Sequence, residues 1–244
     1  MKIKVLKFGG TSVGSIEAIK RSADIIHDWS KKSKVIAVLS AMSGETDRLI
    51  NLTKSFSKNP NPIDFDNAIS SGENVSCALM SICLNNQKIK AKSLLSWQIP
   101  IITSSEHMKS RILSINKKFL YDELKNFEVL LIPGFQGINN KGELTTLGRG
   151  GSDTSAVAVA AAMETECIIY TDVEGVFTTD PNIVPKAKKI NKISYEEMLE
   201  LASQGAKVLQ TRSVELAMRK NTKLSVRSSF KPKKIGTMIT DEKS

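Results

Sequence analysis

The sequence is short of the residues from which metal centres, disulfide frameworks and nucleic-acid grooves are made. Its 244 residues include three cysteines and two histidines. Cys77, Cys83 and Cys167 form no CxxC pair and are odd in number, which argues against a disulfide framework and reads them as small buried apolar residues. His27 and His107 lie far apart and far from any cysteine, so neither zinc nor another resident metal is expected. Aromatics make up 5% of the chain. The net charge of +10 is spread over scattered lysines, with small clusters at Lys186, Lys188 and Lys189 and at Lys231, Lys233 and Lys234. That pattern favours a solvated surface and a site for an anionic small molecule over a nucleic-acid partner. No apolar run approaches the ~20 residues that span a bilayer, so no membrane partner is expected. The N-terminus also lacks the apolar stretch and cleavage site of a signal peptide. A soluble, cytoplasmic protein is the expectation.

What the chain does have is a hydrophobic content of 41%, enough for one large domain or two closely packed lobes. It is organised around Lys4-Val5-Leu6-Lys7-Phe8-Gly9-Gly10-Thr11-Ser12-Val13-Gly14-Ser15. Ile3 to Phe8 reads as a strand and the residues after Ser15 have helical period, so the glycines sit at a strand-to-helix turn. Paired glycines let backbone N–H groups approach an anion, and the helix N-terminus adds free donors and partial positive charge. Lys7 would add a full charge. The same residues leave two other readings open. Gly10-Thr11-Ser12-Val13-Gly14 matches the nucleophile elbow G-x-S-x-G, and a plain strand-ending turn needs no function at all.

Along the chain, Ile16, Ile19, Ala23 and Ile26 mark one face of a helix over residues 15–29. Lys34 to Ser40 is a nearly continuous apolar run, as expected of a parallel strand covered on both faces. It ends in a second small-residue loop, Ser40-Ala41-Met42-Ser43-Gly44, where ligands collect in open α/β sheets. Lys58-Asn59-Pro60-Asn61-Pro62 must be irregular. Ser71-Gly72-Glu73 opens a helix with Val75, Leu79, Ile82 and Cys83 on one side. Glu73 by itself is explained as a partner of the helix dipole, worth up to ~1 kcal/mol. Strand-like runs at Ile99–Thr103 and Glu128–Ile132 flank a lysine-rich helical stretch near 108–125, and Asn139 to Gly142 reads as a hairpin tip.

A second glycine loop follows at Leu147-Gly148-Arg149-Gly150-Gly151-Ser152-Asp153, with Ser152 as N-cap of an alanine-rich, buried helix from Ala156 to Met163. An arginine in such a loop suits bidentate recognition of a carboxylate or phosphate. Two glycine loops, each with a cation and each leading into a helix, suggest two anionic substrates held face to face. Cys167 to Tyr170 reads as a buried strand, and Ser194-x-x-Glu197 as a capping box. A helix near 211–220 and a strand at Leu224–Arg227 complete the reading. A serine hydrolase built on Ser12 would need a histidine late in the chain, and the last is His107.

Together the motifs resemble the amino acid kinase family, and within it the branch that phosphorylates L-aspartate. They are Lys7-Phe8-Gly9-Gly10-Thr11-Ser12, Ser40 to Gly44, Ser71-Gly72-Glu73, Gly148 to Asp153, Thr171-Asp172-Val173, Thr179-Asp180-Pro181, Gly205 to Leu209 and Val226 to Phe230. The resemblance implies an α/β fold: a three-layer αβα sandwich with a mostly parallel central sheet. It also implies an amino-acid-binding lobe over about 1–150 and a nucleotide-binding lobe over about 151–244. Relatives often continue into regulatory ACT domains, and none is expected in these 244 residues.

The implied reaction is ATP-dependent phosphorylation of the side-chain carboxylate of L-aspartate to 4-phospho-L-aspartate, the entry step to lysine, threonine and methionine, with Mg²⁺ on the nucleotide. By the same resemblance, Lys7 and Lys207 neutralise phosphate and Asp153 orients the lysines. Glu73, Arg149, Ser43, Thr46 and Ser152 hold the amino acid. Gly9, Gly10 and Ser12 line the phosphate path, and Thr171, Asp172, Phe177 and Asp180 form the nucleoside end. Departures from the usual pattern are Asn182, Glu174 and Gln210-Thr211. They predict altered nucleotide affinity before loss of chemistry. Other members of the family, acting on acetylglutamate, glutamate, carbamate or UMP, remain the nearest alternatives, followed by a non-catalytic or partner-dependent subunit. A homo-oligomer is possible.

Overall fold

In the computed structural model, which describes residues 1–99, 101–181, 183–206 and 208–241, the first strand, β1 (Ile3–Phe8), lies in the middle of the main sheet. The helix α1 (Ile16–Ser30), capped by the Ser15 hydroxyl, returns the chain to β2 (Lys34–Leu39), which pairs parallel to β1. Three helices follow: α2 (Glu45–Phe56), α3 (Pro62–Ile69) and α4 (Ser71–Asn86). Next come β3 (Ala91–Ser93), β4 (Ile101–Thr103), β5 (Ile112–Ile115), α5 (Lys117–Asn126) and β6 (Val129–Pro133). The hairpin β7 (Gln136–Ile138) and β8 (Leu144–Thr146) precedes α6 (Gly151–Ala162) and β9 (Cys167–Thr171). The chain ends with β10 (Lys192–Ser194), α7 (Tyr195–Ser203), α8 (Thr211–Arg219), β11 (Leu224–Ser228) and β12 (Thr237–Thr240).

Eight strands form the main sheet in the order β10-β12-β11-β9-β1-β2-β6-β3, parallel except where β11 meets β12. A smaller sheet runs β5-β4-β7-β8. Alternation along the central strands divides the core into two. Ile3, Val5, Ile36, Val38, Leu130 and Ile132 face one side, where α5, α6, α7 and α8 contribute Leu120, Val157, Met198 and Val214. Leu6, Phe8, Val35, Ala37, Leu39 and Leu131 face the other, against Ile19, Ala23 and Ile26 of α1 and Met80 and Leu84 of α4. Burying both faces of a parallel sheet, as the continuous apolar strands require, makes the three-layer αβα sandwich that the resemblance implied.

Three local expectations are corrected. The stretch near 108–125 is not one helix: Ile112 to Ile115 pairs antiparallel with β4, and only then does Asn116, accepting from the Phe119 amide at 3.1 Å, cap α5. A β-branched pair beside a waiting strand edge outweighs helical period over so few residues. Ser152 is not an N-cap. Gly150, at φ 73°, turns the chain and α6 starts at Gly151, leaving the Ser152 hydroxyl oxygen free to accept from the Ser40 hydroxyl at 3.0 Å. In α4 the side carrying Val75, Leu79 and Ile82 points outward, and the buried side carries Glu73, Ser76, Cys77, Met80 and Leu84. That helix is apolar on both sides, so period alone did not choose between them.

The strand order also places the ligands. From β1 the chain moves to β2 and β6 on one side, then returns to β9 and β11 on the other, so the direction of winding reverses between β1 and β9. In open α/β sheets the crevice at the carboxyl ends of such strands is where ligands bind.

Candidate active site

Lys7 belongs to the same parity class as Ile3 and Val5, so its side chain points to the α6 side of the sheet. There Asp153, in the first turn of α6, meets it: Lys7 Nζ and Asp153 Oδ1 are 2.5 Å apart, each side chain about one-tenth exposed. The close approach of α6 depends on Gly134 at the end of β6, where any Cβ would stand 2.8 Å from that of Ser152. A cation next to a helix start, at the mouth of a sheet, is suited to an anion.

Beyond β1, Gly9 is the extended residue before a single 3-10 turn, Gly10–Ser12. Ser12 is fully buried and donates to the Ser229 hydroxyl at 3.0 Å, which in turn donates to the Thr171 carbonyl at 3.1 Å. The Gly9 amide itself donates to the Tyr170 carbonyl at 3.3 Å. Gly9, Gly10, Ser12 and Thr171 are therefore held together by the pairing of β1 with β9. Asp172 and Asp180 are exposed and Phe177 is half-buried, in the loop that follows β9; Phe177 bridges to Lys189. Lys207 and Asn182 lie outside the described residues.

The other group converges on one cleft. Ser43, Thr46, Glu73, Arg149 and Ser152 all line a cavity of about 310 Å³, and Gly10 lines it too. The elements that bring them are the β2–α2 loop, the first turn of α4 and the glycine loop before α6. Glu73 is the most unusual of them. It is 3% exposed; one oxygen accepts the Ala41 amide at 3.2 Å, and the other is buried without a hydrogen-bond partner. Burial pushes its carboxyl up to about 8, against the smaller opposing pull of backbone hydrogen bonds. Arg149 is exposed in the glycine loop opposite. One small cleft thus offers a carboxyl oxygen free to accept a hydrogen bond and a guanidinium able to donate two in parallel.

The raised Glu73 value has a consequence for stability. Between the ordinary carboxyl range and about pH 8, folded Glu73 keeps a proton that the unfolded chain releases. Its contribution is present in full below the unfolded value and is lost as pH rises through the folded one. Thermal unfolding of Glu73→Gln should therefore match the wild type near pH 4 and exceed it by several degrees at pH 9. A gap that is the same at both pH values would show that burial does not raise Glu73.

Sequence reasoning did not single out Asp47 and Phe135, which also line the cleft, or Ser40, which bonds Ser152. Asp47 and Phe135 stand outside every recognisable pattern. Ser40 lay within a loop already marked as ligand-facing.

The profile of the Amino acid kinase family matches residues 2–228. The chain belongs to the amino acid kinase family. Among members of that family, an aspartate kinase of Pseudomonas putida is 49% identical over 242 residues, which cover 98% of this chain and 59% of the relative. The crystal structure of an aspartate kinase from Synechocystis superposes with a TM-score of 0.86 at 41% identity, covering 98% of this chain and 40% of that one. Aspartokinase III of E. coli, solved in complex with aspartate and ADP, gives 0.84 at 28% identity, covering 99% and 65%. The chain thus spans about three fifths of the length of the curated relatives it matches. Amino acid kinases of other specificity share the fold: a UMP kinase from Bacillus anthracis superposes with a TM-score of 0.70 at 18% identity. Among the described residues no helix is long and apolar enough to cross a membrane.

Proposed function

We propose that the chain transfers the γ-phosphoryl group of ATP to the side-chain carboxylate of L-aspartate, forming 4-phospho-L-aspartate and ADP, at the head of lysine, threonine and methionine synthesis. The observation that carries this reading is a single cleft lined both by Glu73, with its unpartnered buried oxygen, and by Arg149. Glu73 takes the ammonium and Arg149 the α-carboxylate, while Ser43, Thr46 and Ser152 fill the polar wall. Free amino acids carry both charges; acetylglutamate, carbamate and UMP lack the ammonium.

The chemistry needs no general base, because a carboxylate of pKa about 3.9 is already ionised at neutral pH. It needs two anions held in line and the charge of the moving phosphoryl group offset. Lys7, steadied by Asp153, faces that point from β1, with Lys207 proposed as the second cation. Gly9, Gly10 and Ser12 border the phosphates, and Thr171, Asp172, Phe177 and Asp180 the nucleoside. On this reading residues 1–150 hold the amino acid and 151–244 the nucleotide. Magnesium, bound to the nucleotide, neutralises phosphate charge. On this reading the protein acts on small molecules in the cytoplasm.

The test is ADP release with Mg·ATP and L-aspartate, with hydroxylamine trapping the acyl phosphate. Aspartate-dependent hydroxamate is expected. Turnover with glutamate or N-acetylglutamate and none with aspartate would overturn the substrate while leaving the family intact.

A further inference from the structure

Asp66 is fully buried on α3, yet it does not line the cleft and no step of the proposed chemistry uses it. A buried carboxylate is costly unless its oxygens are well partnered. Asp66 divides its oxygens between β8, the strand that leads to Arg149, and the turn at His107 and Met108. Oδ1 accepts the Thr146 hydroxyl at 2.6 Å, and Oδ2 accepts the Thr146 amide at 3.0 Å and the Met108 amide at 3.1 Å. His107 Nδ1 lies 2.8 Å from the same Oδ2.

The opposite side of that segment is gripped from α8. Arg212 donates from Nη1 to the Leu147 carbonyl at 2.6 Å and from Nη2 to the Ser110 carbonyl at 3.3 Å. The amide and hydroxyl of Ser110 both donate to the Thr146 carbonyl, at 2.9 Å each. Thr146 and Leu147 are thus fixed on both sides immediately before the glycine loop. Asp66, for its part, is one helix away from Glu73: its carbonyl accepts the Ser70 amide at 3.1 Å, and α4 begins at the next residue.

We propose that Asp66 is a positioning residue that sets the spacing between Glu73 and Arg149, and with it the preference of the cleft for a free α-amino acid. This rests on the substrate reading above. Asp66 ties the helix pair that carries one recognition group to the strand that leads into the loop carrying the other. A displacement of a few tenths of an ångström between them weakens two charge-assisted contacts together, while the Lys7 end, built on β1, is untouched.

Asp66→Asn keeps the shape but turns a donor toward the amides of Met108 and Thr146. Its KM for L-aspartate should rise about tenfold while KM for ATP stays within about twofold. The preference for L-aspartate over succinate, which lacks the ammonium, should shrink by a similar factor. Thr146→Val removes a single hydroxyl and carries the test if Asp66→Asn does not fold; it should shift KM for L-aspartate in the same direction, and Thr146→Ser should restore it. Equal changes in both KM values, or a lower melting temperature with unchanged selectivity, would overturn the proposal. Wild-type chain that phosphorylates no amino acid at all would overturn the substrate reading, and the positioning role with it.

Discussion

Replacing Lys7 by alanine should abolish phosphoryl transfer, lowering kcat by about 10³-fold or more, with nucleotide still bound weakly. Loss of one preorganised donor at a developing charge typically costs ~10²–10³-fold. Here the donor is a full cation, and its removal also uncovers Asp153, whose buried negative charge would then face the phosphates. Removing one member of a buried ion pair destabilises by ~3–5 kcal/mol, so a fall in melting temperature should accompany the lost activity. Lys7→Met with Asp153→Asn separates the two effects: it removes the uncompensated charge, and stability should recover while turnover does not. Hydroxamate formation by Lys7→Ala within tenfold of wild type would remove Lys7 from the chemistry.

Arg149→Ala should raise the KM for L-aspartate about 100-fold and leave the KM for ATP and the melting temperature nearly unchanged. A bidentate, charge-assisted contact is worth ~1.5–3 kcal/mol, and tenfold corresponds to ~1.4 kcal/mol. Arg149 is exposed, so cutting it back orphans no buried group. Arg149→Lys should fall between, since an ammonium supplies the charge without the planar fork. An unchanged KM for L-aspartate, measured at saturating Mg·ATP, would move the α-carboxylate site elsewhere.

These two residues differ in how plainly the sequence marked them. Lys7 stood at the end of a clear strand, before paired glycines, and a strand's parity is enough to aim its side chain. Arg149 sat in a glycine loop whose helix was legible, although the helix begins at Gly151 rather than after a serine cap. Glu73 was visible as a carboxylate at a helix start, but its burial was not. The apolar period of α4 highlighted Val75, Leu79 and Ile82, which face outward, and passed over the polar side that packs inward. Asp66 and Arg212 were invisible for a deeper reason. Their partners lie 80 and 65 residues away, and no local pattern records a contact of that span. The short strands β3, β10 and β12 were likewise unreadable, since three or four residues carry too little period to declare themselves.

The parity of β1 constrains how this chain can change. Odd positions turn toward α6 and even ones toward α1 and α4, so insertion or deletion of one residue between Ile3 and Lys7 would rotate the lysine into an oil-filled layer and bring a leucine or phenylalanine to face Asp153. A two-residue change would keep the alternation and only slide the strand along its neighbours. Substitutions at the apolar positions of this strand can thus be absorbed one at a time by repacking, but changes in its length are acceptable only in pairs.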